Sequence, residues 1–139
     1  MNSSGYIENG VHCFSHRVYY SDTDAGGVVY HAKYLDMAEH ARTELLRITG
    51  EDQMHRLSEA QEGFVVQSLS ITFRQPAHLD DLLTIRTKIL KKGVFSMTLE
   101  QEIRRNDEAI AVMEIKVGFI SLAEGKPKPI PGVWRELSC

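Results

Sequence analysis

A single apolar stripe of helical period, followed only by runs of period two, does most to limit the folds open to this chain. Tyr34, Ala38, Ala41, Leu45 and Ile48 step by 4, 3, 4 and 3, which places them on one face of an α-helix. Leu35, Met37 and Leu46 widen that face, and Asp36, His40, Thr43 and Arg47 run down the opposite one. The small Ala38 and Ala41 let the helix lie close to something broad, such as a sheet. We expect this helix from about His31 to Thr49, with Gly50 as its stop. About eighteen residues at ~1.5 Å each span roughly 27 Å.

Beyond Gly63 the period becomes two. Leu69, Ile71 and Phe73 alternate with Ser68, Ser70 and Thr72, and Pro76 ends that run because it cannot donate to a ladder. Leu83, Ile85, Thr87 and Ile89 alternate with Thr84, Arg86 and Lys88. Phe95, Met97, Leu99 and Ile103 alternate with polar residues, and Ala111, Met113, Ile115, Val117 and Phe119 share one face. Turns at Lys91-Lys92-Gly93 and Arg105-Asn106-Asp107-Glu108 join the last three runs into an antiparallel meander. Cys13 to Tyr20, with Val18, Tyr19 and Tyr20, reads as a first strand. The expectation is an α+β domain over residues 1–139, with five antiparallel strands around one long helix. Residues 1–11 are expected as a loose arm, and Glu51–Gln61 as a short helical cover over one end of the sheet. Residues 121–139, with Pro127, Pro129 and Pro131, are expected as an extended tail with a last turn over Val133–Leu137.

Bulk properties exclude several functions. The length suits one core, and the net charge of −3 supplies no general basic field for nucleic acid. Cys13 and Cys139 form no framework and read as free thiols in a reducing, cytoplasmic setting. The first dozen residues lack a signal-peptide pattern, and no apolar run is long enough to span a bilayer. The six histidines show no zinc spacing, so no metal is expected.

Chemistry concentrates between the first strand and the helix, in Asp22-Thr23-Asp24-Ala25-Gly26-Gly27-Val28-Val29-Tyr30-His31. Glycine lets backbone approach a ligand closely. No Ser, Thr, Asp or Asn stands just before His31, so the first amides of the helix lack the usual side-chain cap. Those amides are either kept for a ligand or satisfied by loop backbone. A carboxylate beside free amides suits acyl transfer or hydrolysis; the plainer alternative is a tight turn with surface acids.

The run Asp-Thr-Asp-Ala-Gly-Gly-Val-Val-Tyr-His-Ala-x-Tyr from Asp22 to Tyr34, followed by Glu39-His40-Ala41-Arg42-Thr43-Glu44, resembles the signature of the hot-dog acyl-CoA thioesterases. It is most similar to the YbgC-like branch of the 4-hydroxybenzoyl-CoA thioesterase family. The resemblance continues through Gly63-Phe64-Val65-Val66, Pro76-Ala77 and Leu79–Ile85, and covers roughly His16 to Phe119. Ser21, where relatives often carry an acid, and Lys33 depart from it.

The resemblance implies a hot-dog fold and hydrolysis of acyl-CoA without a cofactor, coenzyme A being part of the substrate. It implies Asp24 as the catalytic carboxylate, acting as nucleophile or as water-activating base. It also implies an oxyanion contact from the backbone N–H of His31. The His31 imidazole would touch substrate, help place water, or fill the helix start. Gly26 and Gly27 would shape the loop, Tyr30 would pack by the acyl path, and Lys91 and Lys92 would meet the nucleotide phosphates. Asp22 and Glu39 compete with Asp24 for the catalytic role. A homodimer or dimer of dimers with interfacial sites is implied too, because exposed strand edges invite pairing. Two other readings stand beside this one. One is a hydratase or dehydratase using His40 and Glu39, and the other is a non-catalytic acyl-CoA-binding protein.

Overall fold

The computed structural model describes residues 3–50 and 52–131. Six strands appear: β1 (Tyr6–Glu8), β2 (Val11–Arg17), β3 (Glu62–Phe73), β4 (Leu82–Lys92), β5 (Ser96–Arg105) and β6 (Glu108–Ser121). One long helix, α1 (Lys33–Ile48), lies between β2 and β3 in the chain. The strands form one sheet in the order β1-β2-β4-β5-β6-β3, antiparallel at every pairing.

The helical stripe packs as its spacing predicts. Tyr34, Met37, Ala38, Ala41, Leu45 and Leu46 are buried on one side of α1. They meet the inward residues of the meander: Leu83, Ile85 and Ile89 of β4, Met97, Leu99 and Ile103 of β5, and Met113 and Ile115 of β6. The register aligns these into layers, with Ile85 opposite Ile103 and Leu99 opposite both Ile89 and Ile115. Leu99 is fully buried, so Leu99→Ala should cost about 2–5 kcal/mol. One polar tie crosses this core. The Gln101 amide Nε2 donates to the Ala38 carbonyl in mid-helix (2.9 Å) and to Thr87 Oγ1 (2.9 Å). Arg42 Nη1 donates to Gln101 Oε1 (2.8 Å). That tie fixes the height of α1 on the sheet, since the carbonyl it takes belongs to the helix backbone.

Several expectations change. The sheet has six strands rather than five, because part of the expected loose arm is ordered: Tyr6–Glu8 pairs with Val11–Cys13. The buried His12 Nε2 donates to the Ser4 carbonyl (2.7 Å) and helps hold that segment. The first long strand ends at Arg17 rather than Tyr20, and Tyr20–Asp22 is a 3-10 turn. Tyr19 and Tyr20 favour strands, but both are exposed and have no neighbour to pair with. Lys91 and Lys92 belong to the end of β4, past a bulge after Ile89, and the tight turn begins at Gly93. The cover after α1 is a helical turn, Gln53–His55, continuing as a π-helical turn, Arg56–Ala60. The extended tail is docked by Ser121 N–H to Lys126 O (2.8 Å), Lys128 N–H to Phe119 O (2.8 Å) and a buried Ile130. The expected turn over residues 133–137 lies outside the described residues.

β3 is the far edge of the sheet. Val66, Leu69 and Phe73 on it are substantially exposed.

Candidate active site

The loop between β2 and α1 is a miniature hairpin with a bonded base and an open tip. Its base is built from Asp22. The Asp22 carbonyl accepts the Tyr30 N–H (2.9 Å), and Thr23 lies opposite Val29. The Asp22 Oδ2 accepts the Tyr19 N–H (3.0 Å) and pairs with His16 Nε2 (3.0 Å). Partial burial pushes this carboxyl up in pKa, but the Tyr19 N–H and His16 outweigh it and leave it below its ordinary value. Asp22 is therefore a structural acid, which removes it as a rival to Asp24.

The tip turns at Asp24–Val28. Asp24 N–H donates to Val28 O (2.9 Å) and Gly27 N–H to Asp24 O (3.1 Å). Gly27 has φ of 80°, a left-handed conformation that disfavours any residue with a Cβ. The Asp24 side chain is exposed, and its Oδ1 accepts the Gly26 N–H (2.8 Å). That bond orients the carboxylate as an Asx turn does. Oδ2 has no partner among the described residues.

The helix start follows four residues after the tip. Lys33 N–H donates to Tyr30 O (2.8 Å), and Ala32 at the N-cap position supplies no side-chain cap. The backbone N–H groups of His31 and Ala32 meet no protein acceptor among the described residues, so the amides expected to be free are free. The His31 ring leans on the Tyr30 ring, centroids 4.5 Å apart, and both side chains are exposed.

The segment 76–81 joins the loop to the helix. The Ala77 carbonyl accepts the Val29 N–H (2.8 Å), and its buried N–H donates to Tyr34 Oη (3.1 Å). One peptide unit thus touches the Asp24 loop on one side and the first turn of α1 on the other. Val28 pairs with His78, and Leu79 N–H donates to Gly27 O (3.1 Å). Burial raises the Tyr34 hydroxyl pKa against the pull of the Ala77 N–H, so the phenol stays protonated. Reading the sequence missed Tyr34 in this role, because its spacing fitted the apolar stripe. The signal was available: a buried tyrosine hydroxyl needs a partner.

Asp24, Gly26, Gly27, Tyr30 and His31 thus share one loop. Lys91 and Lys92 do not join them within one chain. β4 begins near this loop at Leu82 and ends at Lys92, roughly 30 Å further along the strand. Glu39 and His40 sit on an exposed part of α1, about 12 Å along the helix from His31. No cluster of metal-ligating side chains occurs among the described residues.

Residues 18–137 match the family model of the thioesterase-like superfamily. The chain belongs to that superfamily. Within it, the chain is 42% identical over 125 residues to the acyl-CoA thioesterase YbgC of Haemophilus influenzae, covering 90% of this chain and 91% of that protein. It is 38% identical over 131 residues to the protein of the same name from Helicobacter pylori, covering 87% and 95%. Among solved structures, a probable thioesterase from Bartonella henselae superposes with a TM-score of 0.82 at 38% identity, covering 87% of this chain and 99% of that one. A 1,4-dihydroxy-2-naphthoyl-CoA thioesterase from Synechocystis does so with a TM-score of 0.83 at 26% identity, covering 90% and 93%. The hot-dog fold expected from the sequence is the fold of this chain.

Proposed function

We infer that this chain hydrolyses acyl-CoA to a carboxylic acid and free coenzyme A, with Asp24 as its catalytic carboxylate. The observation that carries the reading is the Asp24 side chain. One oxygen is held by the Gly26 N–H and the other is uncommitted, on the loop that runs into uncapped helix amides. The thioester oxygen gains negative charge as its carbonyl is attacked. The N–H groups of His31 and Ala32 are the donors for that charge, each worth about 3 kcal/mol in a preorganised site.

Two routes are open to Asp24. As nucleophile, one of its oxygens bonds to the acyl carbon, the C–S bond breaks, and water then cleaves the mixed anhydride. As base, it takes a proton from water while that water attacks. In both, coenzyme A departs as thiolate and needs little acid assistance. Gly27 permits the turn, Gly26 holds the carboxylate, and Tyr30 with His31 forms an aromatic wall beside the acyl path.

The substrate's phosphates require positive charge, and Lys91 and Lys92 are our candidates. Their distance from Asp24 along β4 means that a neighbouring copy would have to supply them. The bare β3 edge, with Val66, Leu69 and Phe73 exposed, favours pairing of two copies there, and a dimer of dimers completes the proposed homotetramer. The free thiol of Cys13 favours a cytoplasmic setting, and no described helix is long and apolar enough to cross a membrane. The enzyme uses no cofactor in this proposal.

The test is thiol release from a panel of short, long and aromatic acyl-CoAs, with wild type and Asp24→Asn. Turnover by wild type and its loss in folded Asp24→Asn support the reading. Unimpaired turnover by the variant contradicts it. Loss of enoyl absorbance without thiol release would instead favour hydration, and tight binding with no turnover a non-catalytic role.

A further inference from the structure

Arg105 stands at the end of β5, outside the catalytic loop, yet it holds both ends of the segment that braces that loop. Its Nη1 donates to Asp81 Oδ2 (2.7 Å) and to the Pro76 carbonyl (3.2 Å), and its Nη2 donates to Glu108. Asp81 Oδ2 also accepts the His78 N–H (2.9 Å). One guanidinium therefore spans the segment from Pro76 to Asp81. Between those points lie Ala77, bonded to both Val29 and Tyr34, and Leu79, bonded to Gly27. The outer end of the segment is fixed to β2 by Val18 N–H to Asp81 O (2.8 Å) and Asp80 N–H to Val18 O (3.0 Å).

We propose that Arg105 and Asp81 are positioning residues for thioester hydrolysis, clamping segment 76–81 so that the Asp24 loop and the first turn of α1 keep a fixed spacing. The proposal rests on the reading of Asp24 as the catalytic carboxylate. Neither residue needs to touch substrate. Their effect passes through the Ala77 peptide, the bonded link between the two halves of the site. A charge-assisted, forked contact suits this task, because it fixes direction as well as distance. Its contribution to global stability is small, since both side chains are about one quarter exposed. Catalysis is more sensitive: a misplacement of about 1 Å can cost on the order of 100-fold in rate.

Arg104 is the natural control. It sits next to Arg105 on β5 and is equally ion-paired, to Glu102 (2.9 Å) and the Asp107 carbonyl (2.8 Å), but it has no described bond to segment 76–81. Arg105→Ala, Asp81→Asn, Arg105→Lys and Arg104→Ala are compared by kcat, KM and thermal melting on an acyl-CoA that wild type turns over. Arg105→Ala and Asp81→Asn should lower kcat about tenfold or more with KM within about twofold. Arg105→Lys should recover part of the loss, and Arg104→Ala should leave kcat unchanged while shifting the melt similarly. In an Asp24→Asn background, Arg105→Ala should remove no more than about twofold of what remains. Folded Arg105→Ala and Asp81→Asn with kcat within about twofold of wild type would overturn the proposal, as would an equal loss in Arg104→Ala. If Arg105→Ala fails to fold, the near-isosteric Asp81→Asn decides. If Asp24→Asn alone keeps full turnover, the catalytic reading fails first and the positioning role falls with it. If Asp24→Asn is inactive and the clamp variants are not impaired, only the positioning role fails.

Discussion

The base and the tip of the Asp24 loop differ in what their polar groups are committed to. At the base, the Asp22 carboxylate takes a backbone amide and a histidine, and the Asp22 carbonyl takes the Tyr30 N–H. At the tip, the Asp24 carboxylate takes one amide and keeps an oxygen open. Two residues apart, the same side chain is a fastener in one place and a reagent in the other. The difference comes from what surrounds each acid. Its lesson is that a free functional group needs a satisfied one beside it, so that freedom at the tip is not mobility of the whole loop.

The comparison can be broken most readily at the tip. Asp24→Asn keeps the Gly26 bond through its amide oxygen but removes the charge. It should lower kcat by about 100-fold or more, measured by thiol release, with a melting curve close to wild type. Tyr34→Phe tests the link to the helix. It leaves the buried Ala77 N–H without an acceptor, at about 1–3 kcal/mol, and should lower the melting temperature by several degrees.

Gly27→Ala strains the turn by about 1–2 kcal/mol, since its φ of 80° disfavours a Cβ, although no atom lies within 4 Å of the added methyl. Asp22→Asn sharpens the other side of the contrast. The folded pKa of Asp22 lies below the ordinary value of 3.8, so its charge contributes stability at neutral pH. That contribution fades as the pH falls through 3.8 and below, when the folded carboxylate takes up its proton. Melting followed from pH 7 down to pH 3 should show wild type losing its advantage over Asp22→Asn, on the order of 1 kcal/mol at neutral pH. The smallest effect is expected from His31→Ala. It should reduce kcat by less than about tenfold, because the oxyanion donor is the backbone N–H, which alanine retains.

Much of this was legible in the sequence, and the reasons are local. The stripe from Tyr34 to Ile48 and the alternation in β4, β5 and β6 are periodic signals that survive packing. The uncapped helix start could be seen because a cap is a matter of residue type at one position. What stayed hidden depends on partners distant in sequence. Arg105 looked like a turn residue until Asp81, 24 positions away, proved to be its partner. Ala77 looked like the end of a strand until its peptide was found bonded to Val29 and to Tyr34, 43 positions away. Strand β1 was missed because its support is a buried histidine reaching a backbone carbonyl, which leaves no periodic trace. Lys91 and Lys92 show the converse. Residue type suggested a shared site with Asp24, and the register of β4 separates them within one chain.

The most direct test sets the two loop acids side by side. Asp24→Asn and Asp22→Asn are purified as folded protein, and kcat is measured for both on the same acyl-CoA at neutral pH and a temperature well below either melt. The account predicts that Asp22→Asn stays within about fivefold of wild type while Asp24→Asn falls by about 100-fold or more. Equal losses, or a greater loss in Asp22→Asn, would contradict it.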